Sequence, residues 1–315
     1  MARVLVSDKL EKVGLDALAR DPSLTVDNKP GLKPDDQAAI IGAYDALIVR
    51  SATKVNTALL ARAERLKLVI RAGIGVDNID LAACKARGIV VENTPRGNVV
   101  SAAEHAIALM FALARQIPEA SATTKRGVWE KTRFMGTQIT GKTLGIIGTG
   151  NIGAVVVERA LALKMRVVGF DPILTPEKAR ALGLELVELD ALYAQADVIT
   201  IHTPLLESTR NLLNDAAFAK MKPGVLVINA ARGGLVDEDA LLRAIEKRIV
   251  RGAALDVFAA EPVRPDHPLL AREEVVVTPH LGASTFEAQA SVALEAAEQA
   301  SAFFRDGTTM NVVSG

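Results

Sequence analysis

The stretch that decides the fold runs from residue 142 to residue 171 and reads KTLGIIGTGNIGAVVVERALALKMRVVGFD. Its start, 143–147, is short and apolar, which is typical of a buried parallel strand. Three glycines follow with G-x-G-x-x-G spacing, then apolar residues at helical spacing over 152–163, and a second apolar strand over 167–170. This order predicts a dinucleotide-binding βαβ unit rather than an ordinary strand–helix turn.

Each glycine of this turn has a distinct physical task. Gly148 permits the tight turn, Gly150 lets the backbone approach a pyrophosphate, and Gly153 lets the helix pack closely on the strand. The helix that starts at Asn151 and Ile152 then presents free N–H groups and a positive dipole end. We therefore expect these five residues to bind the phosphates of a dinucleotide.

Asp171 selects the kind of dinucleotide. It lies 18 residues past Gly153, about where an acid bonds the ribose hydroxyls of the adenosine half. Its charge repels a 2′-phosphate, and the next residue is Pro172 rather than an arginine. The sequence therefore favours NAD over NADP, although three cations lie near enough in sequence to leave NADP open: Arg166, Lys178 and Arg180.

Composition restricts the class of protein. The chain has 315 residues, of which half are hydrophobic, so two domains with sizeable cores are expected. Lys plus Arg and Asp plus Glu both number 37, so nothing indicates a nucleic-acid or membrane-surface partner. Cys84 is the only cysteine, which fits a reducing compartment. Neither a signal peptide nor a membrane span is expected, since the longest apolar run covers only 106–114. We expect a cytoplasmic protein without a metal site.

Strands and helices alternate along most of the chain. Apolar strand patterns at 3–6, 45–50, 67–71 and 88–91 alternate with helical ones, and the alternation resumes after Asp171. This predicts parallel strands covered by helices. Residues 98–121 are predicted to form one long helix that is apolar on more than one face and therefore buried. His105 lies on it, and we expect a hydrogen-bonded core or interface histidine rather than a catalytic one.

The residues just past the later strands carry the chemistry. Doubly wound sheets bind ligands at the carboxyl ends of their strands, where this sequence places a cation, two acids and an imidazole: Arg232, Asp256, Glu261 and His280. Imidazole suits the acid/base step of hydride transfer at an alcohol carbon. A nearby carboxylate orients it and favours its charged form, and an arginine fork suits a substrate carboxylate. A purely structural role remains an alternative for each of these residues, and His202 is an alternative candidate for the base. His267 is expected to be a solvated surface residue.

Several motifs together resemble the D-2-hydroxyacid dehydrogenases over nearly the whole chain. They are VRSAT at 49–53, RAGIGVDNID at 71–80, NTPRGN at 93–98, SAAEH at 101–105, GKTLGIIG at 141–148, NAARG at 229–233, LDVF at 255–258, EP at 261–262 and TPHLGAST at 278–285. The resemblance implies an NAD-dependent oxidoreductase in which Arg232 binds the substrate carboxylate, Glu261 tunes His280, and His280 is the acid/base. It demotes His202.

The resemblance also implies further contacts. Those to the cofactor come from Thr203, Pro204, Ala230, Ala231, Arg232, Asp256, His280 and Gly282, and those to the substrate from Arg50, Ser51, Gly73, Gly75 and Asn98 together with Arg232 and His280. For Arg50, a surface position after a strand is the alternative.

The implied architecture is α/β, with two Rossmann-like domains. An NAD-binding doubly wound parallel sheet at 98–281 is inserted into a smaller flavodoxin-like substrate domain formed by 1–97 and 282–315. Family members dimerise through the cofactor domain, so a homodimer or a tetramer is expected. Many members carry a further regulatory domain; this sequence is either a short form without it or part of a longer chain. Glyoxylate and hydroxypyruvate reductases, and NAD-sensing corepressors that share the fold, remain alternatives.

Overall fold

The computed structural model describes residues 1–313 and divides into two compact units. The first consists of Met1–Val99 together with the segment from Ala283 onward, and the second of Val100–Gly282. The strands are β1 (Ala2–Val6), β2 (Leu24–Asn28), β3 (Ala46–Val49), β4 (Leu68–Arg71), β5 (Val90–Asn93), β6 (Thr143–Ile147), β7 (Arg166–Phe170), β8 (Glu185–Leu186), β9 (Val198–Ile201), β10 (Val225–Asn229), β11 (Val250–Leu255) and β12 (Val275–Val277).

The α-helices alternate with these strands. They are α1 (Lys12–Arg20), α2 (Pro34–Ile40), α3 (Thr57–Ala61), α4 (Leu81–Ala86), α5 (Val99–Ala114), α6 (Ile117–Lys125), α7 (Asn151–Ala162), α8 (Pro176–Leu182), α9 (Leu189–Gln195), α10 (Asp215–Phe218), α11 (Glu238–Glu246) and α12 (Phe286–Asp306). Among residues 1–313, no helix is both long and apolar enough to cross a bilayer.

The first unit is built on a five-stranded parallel sheet in the order β2-β1-β3-β4-β5. This is the flavodoxin-like order 2-1-3-4-5. One face packs against α1 and α12 and the other against α3 and α4, with a separate apolar cluster on each side. β5 is one of the two edge strands, and Val312 pairs with Glu92 on its open side.

The second unit contains a seven-stranded parallel sheet in the order β12-β11-β10-β9-β6-β7-β8. Its first strand, β6, lies inside the sheet: the next two strands extend the sheet on one side and the last four on the other. This is the doubly wound order 3-2-1-4-5-6 with one more strand, and the order reverses between β6 and β9. Helices α5, α7 and α8 cover one face and α9 to α11 the other. The α/β class with two parallel sheets, expected from the sequence, is confirmed.

The secondary structure differs from the sequence prediction at one helix and at the edge strands β2 and β8, neither of which was predicted. The single helix predicted over 98–121 is wrong, because α5 ends at Ala114 and α6 begins at Ile117. Gln116 has a left-handed backbone with φ 51°, and Pro118 lacks the N–H that a continuous helix needs. The edge strand β2 was not predicted, because its sequence LTVDN contains only two apolar residues and its alternation is too short to stand out.

Candidate active site

The glycine-rich turn joins β6 to α7 at the point where the sheet order reverses. Gly148 has φ 91°, and a Cβ there would lie 2.7 Å from the carbonyl oxygen of His202 and 2.8 Å from Cγ2 of Thr203. A Cβ on Gly153 would collide with the carbonyl oxygen of Gly148. A Cβ on Gly150, by contrast, would meet no atom within 4 Å. Two glycines are therefore required by packing, and the third leaves its backbone open to a ligand.

The start of α7 faces this open backbone. Gly150 is the N-cap residue, and it has no side chain that could accept a hydrogen bond from the N–H groups of the first turn, at Asn151 and Ile152. Uncapped N–H groups at a helix N-terminus, with the positive end of the helix dipole, form an anion site.

Asp171 follows β7 and is tied to the glycine turn. Its Oδ2 accepts hydrogen bonds from the backbone N–H of Thr149 at 2.8 Å and from the Thr149 hydroxyl at 2.9 Å, and its Oδ1 accepts from the N–H of Ile173 at 3.0 Å. Burial raises the pKa of the Asp171 carboxyl, but these hydrogen bonds outweigh it and the pKa is lowered. The carboxylate is therefore charged at neutral pH and fixes the turn beside it, a role that the sequence analysis missed.

Arg232 is presented by a turn that Asn229 shapes. The buried Asn229, at the end of β10, donates from Nδ2 to the carbonyl oxygen of Arg232 at 2.8 Å and accepts at Oδ1 from the N–H of Ala231 at 3.1 Å. Nη1 of Arg232 donates to the carbonyl oxygen of Ala231 at 2.7 Å. Gly233 follows, and a Cβ there would collide with the carbonyl oxygen of Phe258. The turn of Arg232 thus packs directly on the segment that follows β11.

His280 and Glu261 form a close pair. His280 Nδ1 lies 2.7 Å from Glu261 Oε2, and both side chains are substantially exposed, at 49% and 38%. Glu261 Oε1 accepts from the N–H of Phe258 at 3.1 Å. With Nδ1 bonded to the carboxylate, Nε2 is the ring nitrogen that remains for a ligand, as an acid/base requires.

Asp256 holds the backbone of His280 and of the two residues that follow it. His280 has φ 56°, in the left-handed region that is uncommon for residues other than glycine. Its N–H donates to the carbonyl oxygen of Asp256 at 2.8 Å, while the Asp256 carboxylate accepts from the N–H groups of Leu281 at 2.7 Å and Gly282 at 2.9 Å. The strained conformation that aims the imidazole is thus fixed by one buried residue.

Two further groups reach the same carboxylate. The Thr278 hydroxyl donates to Asp256 Oδ1 at 2.5 Å, and Nε2 of His105, on α5, lies 3.2 Å from the same oxygen. Burial raises the pKa of Asp256, but the bonds from His105 and Thr278 outweigh it and the pKa is lowered. The expectation of a hydrogen-bonded core role for His105 agrees with this geometry.

The other two histidines are held inside the second unit. Burial lowers the pKa of His202 to about 4, and its Nε2 lies 2.9 Å from Oγ1 of Thr200, so the ring is neutral at pH 7. The surface role expected for His267 is wrong, since only 18% of its side chain is exposed. Its Nε2 lies 3.0 Å from Glu238, and its ring packs edge-on against Phe258 with centroids 5.6 Å apart. A proline-rich loop gave no signal of this contact.

The remaining cofactor candidates of the second unit lie beside these residues. Thr203 and Pro204 follow β9, and Thr203 packs against Gly148. Ala230 and Ala231 follow β10. A Cβ on Gly282 would lie 3.5 Å from Asp256 Oδ2. Residues that follow neighbouring parallel strands lie at one edge of the sheet, so these candidates lie at the same edge as the glycine turn.

The first unit holds the predicted substrate residues after β3, β4 and β5. Arg50 is half-buried, with its N–H bonded to Asp8 at 2.6 Å; its Nε is buried without a partner among the described residues, and burial lowers the pKa of its guanidinium. Gly73 has φ 142°, and a Cβ there would collide with the guanidinium of Arg71. Asn98 is 9% exposed, and within residues 1–313 its Oδ1 has no hydrogen-bond partner. Ser51, by contrast, is exposed and Gly75 half-buried.

Residues 107–282 match the family model described as D-isomer specific 2-hydroxyacid dehydrogenase, NAD binding domain. The chain belongs to this family. Its cofactor is therefore NAD, and the open backbone at Gly150, the uncapped start of α7 and the charged Asp171 fit a dinucleotide. Residues 1–313 show no cluster of three or more His, Cys, Asp or Glu side chains that could hold a metal ion.

Individual members of the family are similar over most of this chain. It is 48% identical over 299 residues to a D-3-phosphoglycerate dehydrogenase of Synechocystis, and 47% identical over 296 residues to one of Archaeoglobus fulgidus. These alignments cover 95% and 94% of this chain but 53% and 56% of the relatives, so the chain spans about half their length.

Solved structures match over the full chain. The TT0316 protein of Thermus thermophilus is 35% identical with a TM-score of 0.90, covering 99% of both chains. A glyoxylate reductase of Paecilomyes thermophila is 30% identical, also with a TM-score of 0.90, covering 99% of this chain and 98% of that one.

Proposed function

We propose that this family member is a D-3-phosphoglycerate dehydrogenase, which transfers a hydride between C2 of D-3-phosphoglycerate and NAD and so begins L-serine biosynthesis. The observation that carries the proposal is the identity of 47–48% to enzymes of that name over about 95% of the chain. The pair formed by His280 and Glu261 supports the reaction type.

The proton chemistry follows from the geometry of this pair. In the oxidative direction, His280 accepts the proton of the C2 hydroxyl at Nε2, because Nδ1 is engaged by Glu261. The carboxylate, 2.7 Å away, favours the imidazolium that forms. In the reductive direction, the same nitrogen returns the proton to the developing alkoxide. Arg232 binds the substrate carboxylate with its planar fork, which also sets the orientation of C2 relative to His280.

The second unit holds the cofactor in this proposal. The turn at Gly148, Gly150 and Gly153 and the start of α7 bind the pyrophosphate, and Asp171 bonds the adenosine ribose. The remaining contacts come from Thr203, Pro204, Ala230, Ala231, Asp256 and Gly282. When NAD is bound, its nicotinamide supplies the hydride acceptor.

Substrate selection requires cations for the phosphate group. In the first unit, Arg50 and Arg71 are the candidates. Asn98, whose buried Oδ1 has no partner within residues 1–313, joins Ser51, Gly73 and Gly75 in contacting the substrate. From a second subunit, we propose Lys131 rather than Arg133. Arg133 is engaged by Glu273 at 2.8 Å, and also by Glu130 and Glu119.

A glyoxylate or hydroxypyruvate reductase is the second candidate. The observation that favours it is the glyoxylate reductase that aligns over 99% of this chain with a TM-score of 0.90. The pair of His280 and Glu261, the guanidinium of Arg232 and the cofactor site would have the same roles in that reaction, but the substrate would lack the phosphate group.

An absorbance assay for NADH separates the two candidates. One reaction contains NAD, D-3-phosphoglycerate and a trap for the keto product; parallel reactions contain glyoxylate or hydroxypyruvate with NADH or NADPH. We expect turnover with D-3-phosphoglycerate and NAD. Turnover restricted to the unphosphorylated keto acids would reject the phosphoglycerate assignment in favour of the reductase.

We also propose that the protein acts as a cytoplasmic homodimer. The segment after α6 exposes apolar side chains, with Trp129 83% and Met135 81% exposed. Exposed large apolar residues grouped in one segment favour a protein interface. Light scattering should give twice the chain mass, and Trp129→Lys should shift the dimer toward monomer. A monomeric parent protein at micromolar concentration would contradict this proposal.

A further inference from the structure

The loop that carries Glu261 is tied at both ends to one side chain. Glu238, the first residue of α11, accepts from the N–H of Ala259 at Oε1, 2.7 Å away, and its Oε2 lies 3.0 Å from Nε2 of His267. The carboxylate therefore bridges residues 259 and 267, with Glu261 between them. Both Glu238 and His267 are only 18% exposed, so water screens the contact weakly.

The hydrogen bonds of His267 fix its tautomer. Nδ1 accepts from the N–H of Leu269 at 3.3 Å, capping the short 3-10 helix Pro268–Ala271. An accepting Nδ1 carries no proton, so the proton of the neutral ring is on Nε2 and is donated to Glu238. Leu269 is 1% exposed and part of the core of the second unit. His267 thus anchors the end of the loop to the core and to α11 at once.

The other end of the loop contacts the candidate catalytic residues directly. Phe258, next to Ala259, donates its N–H to Glu261 Oε1 and packs its ring edge-on against His267. The carbonyl of Phe258 is the group on which Gly233, the neighbour of Arg232, packs. A shift of the Phe258–Ala259 peptide would therefore move the carboxylate that orients His280 and press on the turn that presents Arg232.

We propose that Glu238 and His267 form a positioning pair that holds the Glu261 carboxylate in line with Nδ1 of His280. The roles of Glu261 and His280 rest on the proposed function, but the geometric coupling between the two pairs does not. Neither Glu238 nor His267 has a direct contact with the imidazole of His280 among the described residues. They act through the backbone of Phe258 and Ala259.

Two substitutions of His267 form a matched test. His267→Gln places an amide N–H near the position of Nε2 and keeps the donor to Glu238, whereas His267→Asn places an oxygen near Nδ1 and keeps only the cap on Leu269. Glu238→Ala removes the acceptor itself. We expect His267→Asn and Glu238→Ala to lower kcat about 10-fold with KM changed much less, because a small misplacement of a catalytic group is costly. His267→Gln should stay within about 2-fold.

The double variant Glu238→Ala/His267→Asn should lose no more activity than Glu238→Ala alone, because the contact that His267→Asn removes is already absent there. If the losses of kcat in the two single variants multiply in the double variant, the proposed positioning pair is wrong. Equal kcat in the asparagine and glutamine variants would overturn it as well.

A second readout does not depend on turnover. The chain has four histidines, so the ring signals of His280 can be followed by NMR titration of the protein without substrate. A carboxylate in line with the imidazole favours its charged form. We expect the ring signals of His280 to differ from those of the parent in His267→Asn and Glu238→Ala, and to match those of the parent in His267→Gln.

The two readouts separate failure of this inference from failure of the proposed function. If the parent protein reduces none of 3-phosphohydroxypyruvate, glyoxylate and hydroxypyruvate, the proposed function fails, and the NMR titration still decides the coupling. If the variants unfold more easily but show the parent's kcat and His280 ring signals, Glu238 and His267 are structural only and the inference is wrong.

Discussion

Two histidine–carboxylate pairs at the end of the seven-stranded sheet have the same chemistry and opposite surroundings. His280 and Glu261 are 49% and 38% exposed, while His105 and Asp256 are 18% and 0% exposed. In the exposed pair one ring nitrogen is left for a ligand. In the buried pair the carboxylate is shared among His105, Thr278 and the backbone of the residues after His280. Under the proposed function, the exposed pair would react and the buried pair would hold His280 in place.

The largest expected effect tests the exposed pair. His280→Asn removes the imidazole but keeps a side chain that tolerates the left-handed backbone at φ 56°. The rate should fall roughly 10²- to 10⁴-fold, the usual range for a positioned acid/base. NADH affinity, measured by fluorescence, and the urea midpoint should change little. Normal turnover would show that His280 is not the acid/base.

The next effect tests the buried pair by stability rather than rate. His105→Leu leaves the fully buried Asp256 without its imidazole partner, which should lower the free energy of unfolding by about 2–3 kcal/mol. Because the pKa of Asp256 is lowered in the folded protein, its contribution is present above the unfolded pKa and lost as pH falls. His105→Gln, which keeps a donor, is the control and should recover part of the loss in urea unfolding at pH 7. If leucine is tolerated as well as glutamine, His105 does not stabilise Asp256.

The sequence predicted much of this site because short motifs carry it. Sequence motifs alone predicted the glycine turn, Asp171 and the candidate residues after the strands. This was possible because parallel strands bring their carboxyl ends to one edge of the sheet. The contacts that support them could not be read. No motif predicts the hydrogen bonds that link Asn229 to the turn of Arg232, Thr149 to Asp171, or Glu238 to His267.

The fold shows the same limit. The parallel sheets follow from the alternation of strands and helices, but the break between α5 and α6 depends on a left-handed residue at Gln116. A run rich in alanine conceals that break.

A third test compares Asp256 with a buried carboxyl that has no ion-pair partner among residues 1–313. Glu92 in β5 is fully buried, and burial raises its pKa to about 7 despite the hydrogen bond from the N–H of Met310. The folded state therefore holds a proton that the unfolded state loses at lower pH, so stability falls as pH rises from about 4.5 to about 7. Glu92→Gln remains neutral and can still accept from Met310. By pH 8 it should be about 1–2 kcal/mol more stable than the parent, and no different at pH 4.

Urea unfolding over pH 4–8 measures this difference. Glu287→Gln, on the exposed first turn of α12 in the same unit, is the matched control and should leave the pH dependence unchanged. A parallel pH dependence in the parent and Glu92→Gln would mean that Glu92 is ionised in the folded protein.

The smallest effect concerns Asp171, whose carboxylate combines an internal role with a proposed external one. Thr149 and Ile173 already bond both oxygens, while the charge is proposed to bond the ribose and repel a 2′-phosphate. Asp171→Asn removes the charge and keeps an oxygen for Thr149, so the preference for NADH over NADPH should fall about 10-fold in kcat/KM. Asp171→Ala should also weaken NADH binding, because the glycine turn loses its tie. If the asparagine variant discriminates as well as the parent, Asp171 serves the turn and not the choice of cofactor, and the preference must come from the space beside the ribose.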